Sequence, residues 1–187
     1  MGFFDKAKML VLGPKGLEID TVTVTPTQQE VKPVEIDLNM YLSPHFQLKE
    51  LVVTSHREVD NRPTPEVLER LKTLCTDFLE PIRKQFGPLI ISSGYRCPDL
   101  NAKIGGAKDS AHMYGCAADF VPFNKQYTTR DVVMWVKNST LEFDQVIDEY
   151  AGKTSNWIHI GMLRPNKNPK PRKEALLFKD GKYTVFV

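Results

Sequence analysis

Between Thr64 and Gly87 the apolar positions Val67, Leu71, Leu74 and Phe78 recur at spacings of four and three, with Leu68, Cys75, Leu79 and Ile82 beside them. Residues three and four apart share a face of an α-helix, so this stretch predicts one long helix with a wide buried face. Thr64-Pro65 supplies its start and Gly87-Pro88 its stop. Pro81 predicts a kink or interruption, because proline has no N–H to give and crowds the preceding turn. Upstream, Ser43-Pro44 predicts the start of a shorter helix carrying Phe46, Leu48 and Leu51. "LIISS" at 89–93 reads as a strand and "RDVVMWVKN" at 130–138 as a second helix, while "FDQVIDEY" at 143–150 and "NWIHIGM" at 156–162 read as strands on either side of Gly152. The order predicts an α+β fold: a mostly antiparallel sheet with flanking helices.

The two ends have a different texture. Residues 1–38 include "IDTVTVTPTQQEVKPVEI", rich in Thr and Val and poor in large apolar side chains. They predict an extended N-terminal arm that can pair along a sheet edge, against its own domain or a partner chain, but builds no core. Residues 39–162 carry the pattern of the compact domain. Residues 163–187 begin with the basic, proline-rich "RPNKNPKPRK", read as a solvated linker, and end with "ALLFKDGKYTVFV". There Asp180-Gly181 between two alternating runs predicts a terminal hairpin.

Composition narrows the function classes. At 187 residues, with 41% hydrophobic and 26% charged residues, the chain can bury a real core. A formal charge of +2, with basic and acidic residues interleaved, gives no electrostatic footprint for nucleic acid. Cys75, Cys97 and Cys116 share no CxxC spacing and read as reduced thiols, neither a disulfide framework nor a metal knuckle. The apolar run Met9 to Leu12 is too short for a secretory core or a membrane span, so synthesis in the cytoplasm without a signal peptide is expected.

The candidate chemistry lies in the histidines at 45, 56, 112 and 159. His112 is followed by Asp119 across a turn of small residues: Gly115 can take a positive φ, and Ala117 and Ala118 let the chain enter a sheet without crowding. His159 sits in an alternating strand beside Trp157, Ile158 and Ile160. Two imidazoles and one carboxylate suit zinc with one position left open. The spacing alone fits equally a serine-capped turn with an exposed histidine and a helix-capping aspartate.

"SAHMYGCAAD" has the pattern Ser-x-His-x-x-Gly-x-Ala-x-Asp, with "ISSGYRCPDLNAKIGG" upstream and "NWIHIG" downstream. In these three ordered segments the chain resembles the zinc D-alanyl-D-alanine carboxypeptidase family, which includes phage L-alanyl-D-glutamate endopeptidases and vancomycin-resistance dipeptidases. The fold is also similar to the Hedgehog signalling domain. The resemblance implies one Zn2+ held by His112, Asp119 and His159. It implies Arg96 as the guanidinium that binds a substrate carboxylate or steadies an oxyanion, and Ser110 as a residue orienting the loop and His112. Endopeptidases of this type carry an acid three residues before the last histidine, where this chain has Asn156, followed by Trp157. Strand alternation puts Gln145, Ile147 and Glu149 on one face and Asp144, Val146 and Asp148 on the other, so only one of Asp148 and Glu149 can face the metal. The resemblance, whose sheet often has Glu at this point, implies Glu149 as the proton-transfer residue.

The function so implied is hydrolysis of peptide bonds in peptidoglycan stem peptides or cross-links. It would be carried out by a phage lytic or virion-associated enzyme acting on the wall after lysis or from the virion. The N-terminal arm would offer a contact to phage structural proteins, with neither nucleic acid nor a membrane span involved. Two other readings stand beside it. One is a non-catalytic, zinc-stabilised virion structural protein, and the other a wall-binding module resting on the basic linker and hairpin.

Overall fold

The computed structural model describes residues 36–187 other than 166, 168 and 169. The arm expected over 1–38 therefore lies almost wholly outside the described residues. Glu35–Val187 cluster as one unit.

The helical half forms much as the apolar spacing predicts. Helix α2 (Pro65–Leu74) is capped by the Thr64 hydroxyl, which accepts from the Val67 N–H, and buries Val67, Leu71 and Leu74. It runs into a π-helical turn at Cys75–Leu79 and then α3 (Glu80–Phe86), ended by Gly87 at φ 81°. Pro81 explains the wide turn. It cannot donate to the carbonyl four residues back, and its ring pushes that carbonyl aside, so Glu80 N–H bonds to Cys75 O instead. The predicted interruption is an underwound turn, not a break.

The short upstream helix starts later than Ser43-Pro44 predicts. Ser43 ends strand β1 (Tyr41–Ser43), which pairs with β2 (Phe46–Gln47), and α1 covers only Leu48–Leu51. The reason is Glu80: its carboxylate accepts from the Ser43 hydroxyl at 2.7 Å and the His45 N–H at 2.9 Å. The would-be cap is committed to α3, and Gln47 with Glu50 forms the capping box.

The remaining elements are β3 (Leu89–Ser93), α4 (Pro98–Lys103), a 3-10 turn (Ala111–Tyr114), β4 (Ala117–Pro122), α5 (Thr129–Asn138), β5 (Gln145–Glu149), β6 (Trp157–Gly161), β7 (Glu174–Lys179) and β8 (Lys182–Val185). One six-stranded sheet runs β3-β4-β6-β5-β7-β8, antiparallel except that β7 lies parallel to β5. This is the α+β, mostly antiparallel fold expected from the pattern. The hairpin around Asp180-Gly181 is β7 and β8, and it continues the sheet of the preceding domain rather than hanging from it.

The sheet has two unlike faces. Ala118, Phe120, Val146, Ile158, Ile160 and Ala175 point into one hydrophobic core shared with Leu71, Leu79, Val132 and Val136 of the helices. Their strand neighbours Asp119, Ile147, Glu149, Trp157 and His159 border a cavity on the other face. Period-two alternation thus sorts core from chemistry residue by residue.

Candidate metal centre

Asp119 and His159 are direct partners across β4 and β6, and Ile147 of β5 is paired with His159 on its other side. Both reactive side chains therefore rise from the sheet at one level. His112 comes from the 3-10 turn that leads into β4, and Gly115 closes that turn at φ 69°. A side chain at 115 would be doubly unfavourable, since its Cβ would meet Val67 Cγ1 at 2.9 Å.

The three residues converge. His159 Nδ1 lies 2.8 Å from Asp119 Oδ1, His112 Nε2 lies 3.2 Å from the same oxygen, and the two ring nitrogens are 3.3 Å apart. One ligand atom from each residue falls within 4.8 Å of the others. The His112 Nδ1–H donates to the Gly94 carbonyl at 2.6 Å. A carbonyl can only accept, so the Nδ1 proton is fixed and the Nε2 lone pair faces the cluster.

Protonation suits a cation. Burial pushes the His112 imidazole below its ordinary value, against the pull of Asp119, which keeps it in the neutral form a metal needs. Asp119 is nearly enclosed, and burial alone would raise its carboxyl. When the neighbouring imidazoles of His112 and His159 carry the shared proton they outweigh that and hold it well below the usual carboxylate range. Borderline nitrogen and hard oxygen donors in this number, beside an open cavity, fit zinc with a free position.

The cavity of about 350 Å3 above the cluster is bordered by Arg96, Ser110, Glu149, Trp157 and Tyr183 among others. Arg96 does more than line it. Its Nη2 lies 3.2 Å from Asp119 Oδ2, so the guanidinium steadies the carboxylate from the side away from the histidines, while its buried Nε has no hydrogen-bond partner among the described residues. Ser110 borders the cavity, but its hydroxyl makes no hydrogen bond among the described residues. The orienting contact to His112 that was expected of Ser110 comes from Gly94. Glu149 is buried with its carboxyl pushed up by that burial, and the Tyr183 hydroxyl stands 3.4 Å from its Oε1. His45 pairs with Glu80 and His56 with Glu58, both away from the cavity.

Asn156 points elsewhere. Its amide donates to the Thr129 hydroxyl at 2.6 Å on the helical side of the sheet, as alternation with Trp157 and His159 requires.

The family model described as Peptidase M15 matches residues 44–161, the span that contains all three converging residues. The chain belongs to this family. It is a metallopeptidase of Peptidase M15, with a His-Asp-His group able to hold a metal ion. A search of curated proteins finds no match. The Peptidase M15 match stops at Gly161, so Tyr183 and the rest of the hairpin lie beyond it.

Several contributors were not legible in the sequence. Gly94 needs to be glycine because a Cβ there would fall on the Leu51 carbonyl, and its own carbonyl holds His112. Asn61, buried in a loop, donates to the Val52 and Tyr95 carbonyls and accepts the Cys97 N–H, clamping the segment that carries Arg96. A lone asparagine between Asp60 and Arg62 gives no such signal, and Tyr183 lies far from any motif.

Proposed function

We propose that this Peptidase M15 chain is a zinc-dependent hydrolase of peptide bonds in bacterial peptidoglycan. The observation that carries the reading is the convergence of His112, Asp119 and His159 under an open cavity that also exposes Arg96 and Glu149. Zinc bound there supplies Lewis acidity toward the scissile carbonyl and acidifies water.

The protein's own groups divide the remaining work. Gly94 and Arg96 orient His112 and Asp119. Glu149, its carboxyl raised above the ordinary value by burial, takes a proton from the attacking water and returns it to the leaving amine. Arg96 also borders the cavity, its guanidinium placed to meet a substrate carboxylate or developing oxyanion. Action at the wall after lysis or from a virion rests on the resemblance to phage endopeptidases, and detection of the chain in purified virions would separate the two routes.

The deciding test is release of amino groups from purified peptidoglycan by the zinc-loaded protein, beside a chelator-treated sample, with mass analysis of the products. Metal-dependent release identifies the bond and separates carboxypeptidase from endopeptidase. Zinc bound at one equivalent without release from several wall chemotypes would favour the second reading, a zinc-stabilised structural protein. The observation on that side is Asn156, which is engaged with Thr129 instead of offering a carboxylate to the cavity.

A further inference from the structure

We propose that Tyr183, on the C-terminal hairpin beyond the family-matched span, is a positioning residue that holds the Glu149 carboxylate toward the metal centre. The inference rests on the assignment of Glu149 to proton transfer. Its structural basis is independent of the family, because the match ends at Gly161.

Glu149 closes β5, the strand that β7 joins in parallel. In β8, Tyr183 stands directly opposite Phe178 of β7, so both rings lie on one face of the sheet. That face is the cavity side: Tyr183, Glu149 and Trp157 all border the space above His159. Among the described residues, the Tyr183 hydroxyl is the hydrogen-bond partner of the Glu149 carboxylate, at 3.4 Å. Burial, and then the charge of Glu149, push the phenol above its ordinary value, so it stays a protonated donor at neutral pH.

Tyr183 is exposed, and its ring is held on one side by other aromatics. Phe178 packs on Tyr183 at 4.6 Å between centroids, Tyr150 on Phe178 at 5.0 Å, and Trp157 on Tyr150 at 4.9 Å. This row of aromatics starts on β6, the strand that carries His159, and ends on the hairpin. It also passes Tyr150, a non-glycine residue at φ 55° in the turn after Glu149. The hairpin therefore works as a buttress, placing one hydroxyl where a carboxylate would otherwise choose among rotamers.

The test is Tyr183→Phe in the full chain, which keeps the ring contacts and deletes only the hydroxyl. Two readouts are taken. On purified peptidoglycan, kcat is expected to fall roughly tenfold with KM within about twofold, the loss of one hydrogen bond to a charged group. By NMR of the zinc-loaded protein with 13C-labelled glutamate, the Glu149 carboxyl resonance is expected to move while the other glutamate signals stay. Adding Glu149→Gln to Tyr183→Phe should cost no more than Glu149→Gln alone, because the hydroxyl acts through that carboxylate.

An unmoved Glu149 resonance overturns the proposal, whatever the activity. So does a Tyr183→Phe effect that persists at full size on the Glu149→Gln background. A fully active Glu149→Gln instead removes the proton-transfer assignment itself, an outcome distinct from the failure of Tyr183 to touch Glu149. If the wild-type chain releases nothing from peptidoglycan, the resonance still decides the positioning role.

Discussion

Asp148 and Glu149 are consecutive residues of one strand, both acids, both buried (3% and 9% exposed), and both with carboxyls pushed up by that burial. They point to opposite faces of the sheet. Asp148 faces helix α5, where the Thr129 hydroxyl and Arg130 offset part of its cost and its Oδ1 has no partner among the described residues. Glu149 faces the cavity, with His159 and Tyr183 nearby. The same raised carboxyl is thus a structural burden on one side and, on the other, the group to which proton transfer is proposed. A perturbed acid identifies a site only together with what stands across from it.

The contrast can be tested in order of expected effect. His112→Ala should empty the metal centre and abolish hydrolysis, lowering metal affinity by well over the roughly 10–100-fold typical of supporting residues; metal analysis after dialysis reads this. Acid should act through the same residue. The His112 imidazole is harder to protonate folded than unfolded, so its contribution is present above the ordinary value of about 6.5 and is lost as pH falls through the lower folded value. Metal retention that persists unchanged far below that range would contradict the assignment.

Glu149→Gln should lower kcat by roughly 10²–10⁴-fold and leave metal content intact. If instead Asp148→Asn silenced hydrolysis and Glu149→Gln did not, the two faces would have been assigned the wrong way round. Arg96→Ala comes next. Because Arg96 braces Asp119 as well as facing the cavity, it should weaken metal binding by roughly 10–100-fold in addition to slowing turnover. Titration with a competing chelator measures the first effect separately from the second.

The smallest effect is also the sharpest check on the core side. Asp148→Asn should stabilise the fold by about 1 kcal/mol at pH 7, measured by urea unfolding. Its carboxyl binds a proton more readily folded than unfolded, so the penalty grows as pH rises through the folded value. Below the ordinary carboxyl value of about 3.9 the gain from asparagine should vanish.

The sequence made one kind of information easy to read and another hard. Apolar spacing gave the helix of Val67, Leu71 and Leu74 and the alternation that separates Glu149 from Asp148, because periodicity is a local property. The convergence of His112, Asp119 and His159 came from motif resemblance, since spacing alone left a capped turn equally open. What escaped depended on long-range partners. Glu80 takes the Ser43 hydroxyl from 37 residues away, so the expected helix start became the end of a strand. Gly94 rather than Ser110 sets the His112 ring, through a backbone carbonyl that carries no side-chain signature. Arg96 was read as facing substrate alone, because its second contact, to Asp119, appears only when β3 and β4 are paired.

Gly94 finally sets a boundary for anyone remodelling this cleft. Rim residues such as Ala107 and Ser110 border the cavity and can be varied in a library to seek new substrates. Residue 94 admits no such search: any larger residue must displace the Leu51 backbone while the adjoining Tyr95 N–H is bonded to that same carbonyl. At this position, access to new specificity and survival of the scaffold cannot be traded against each other.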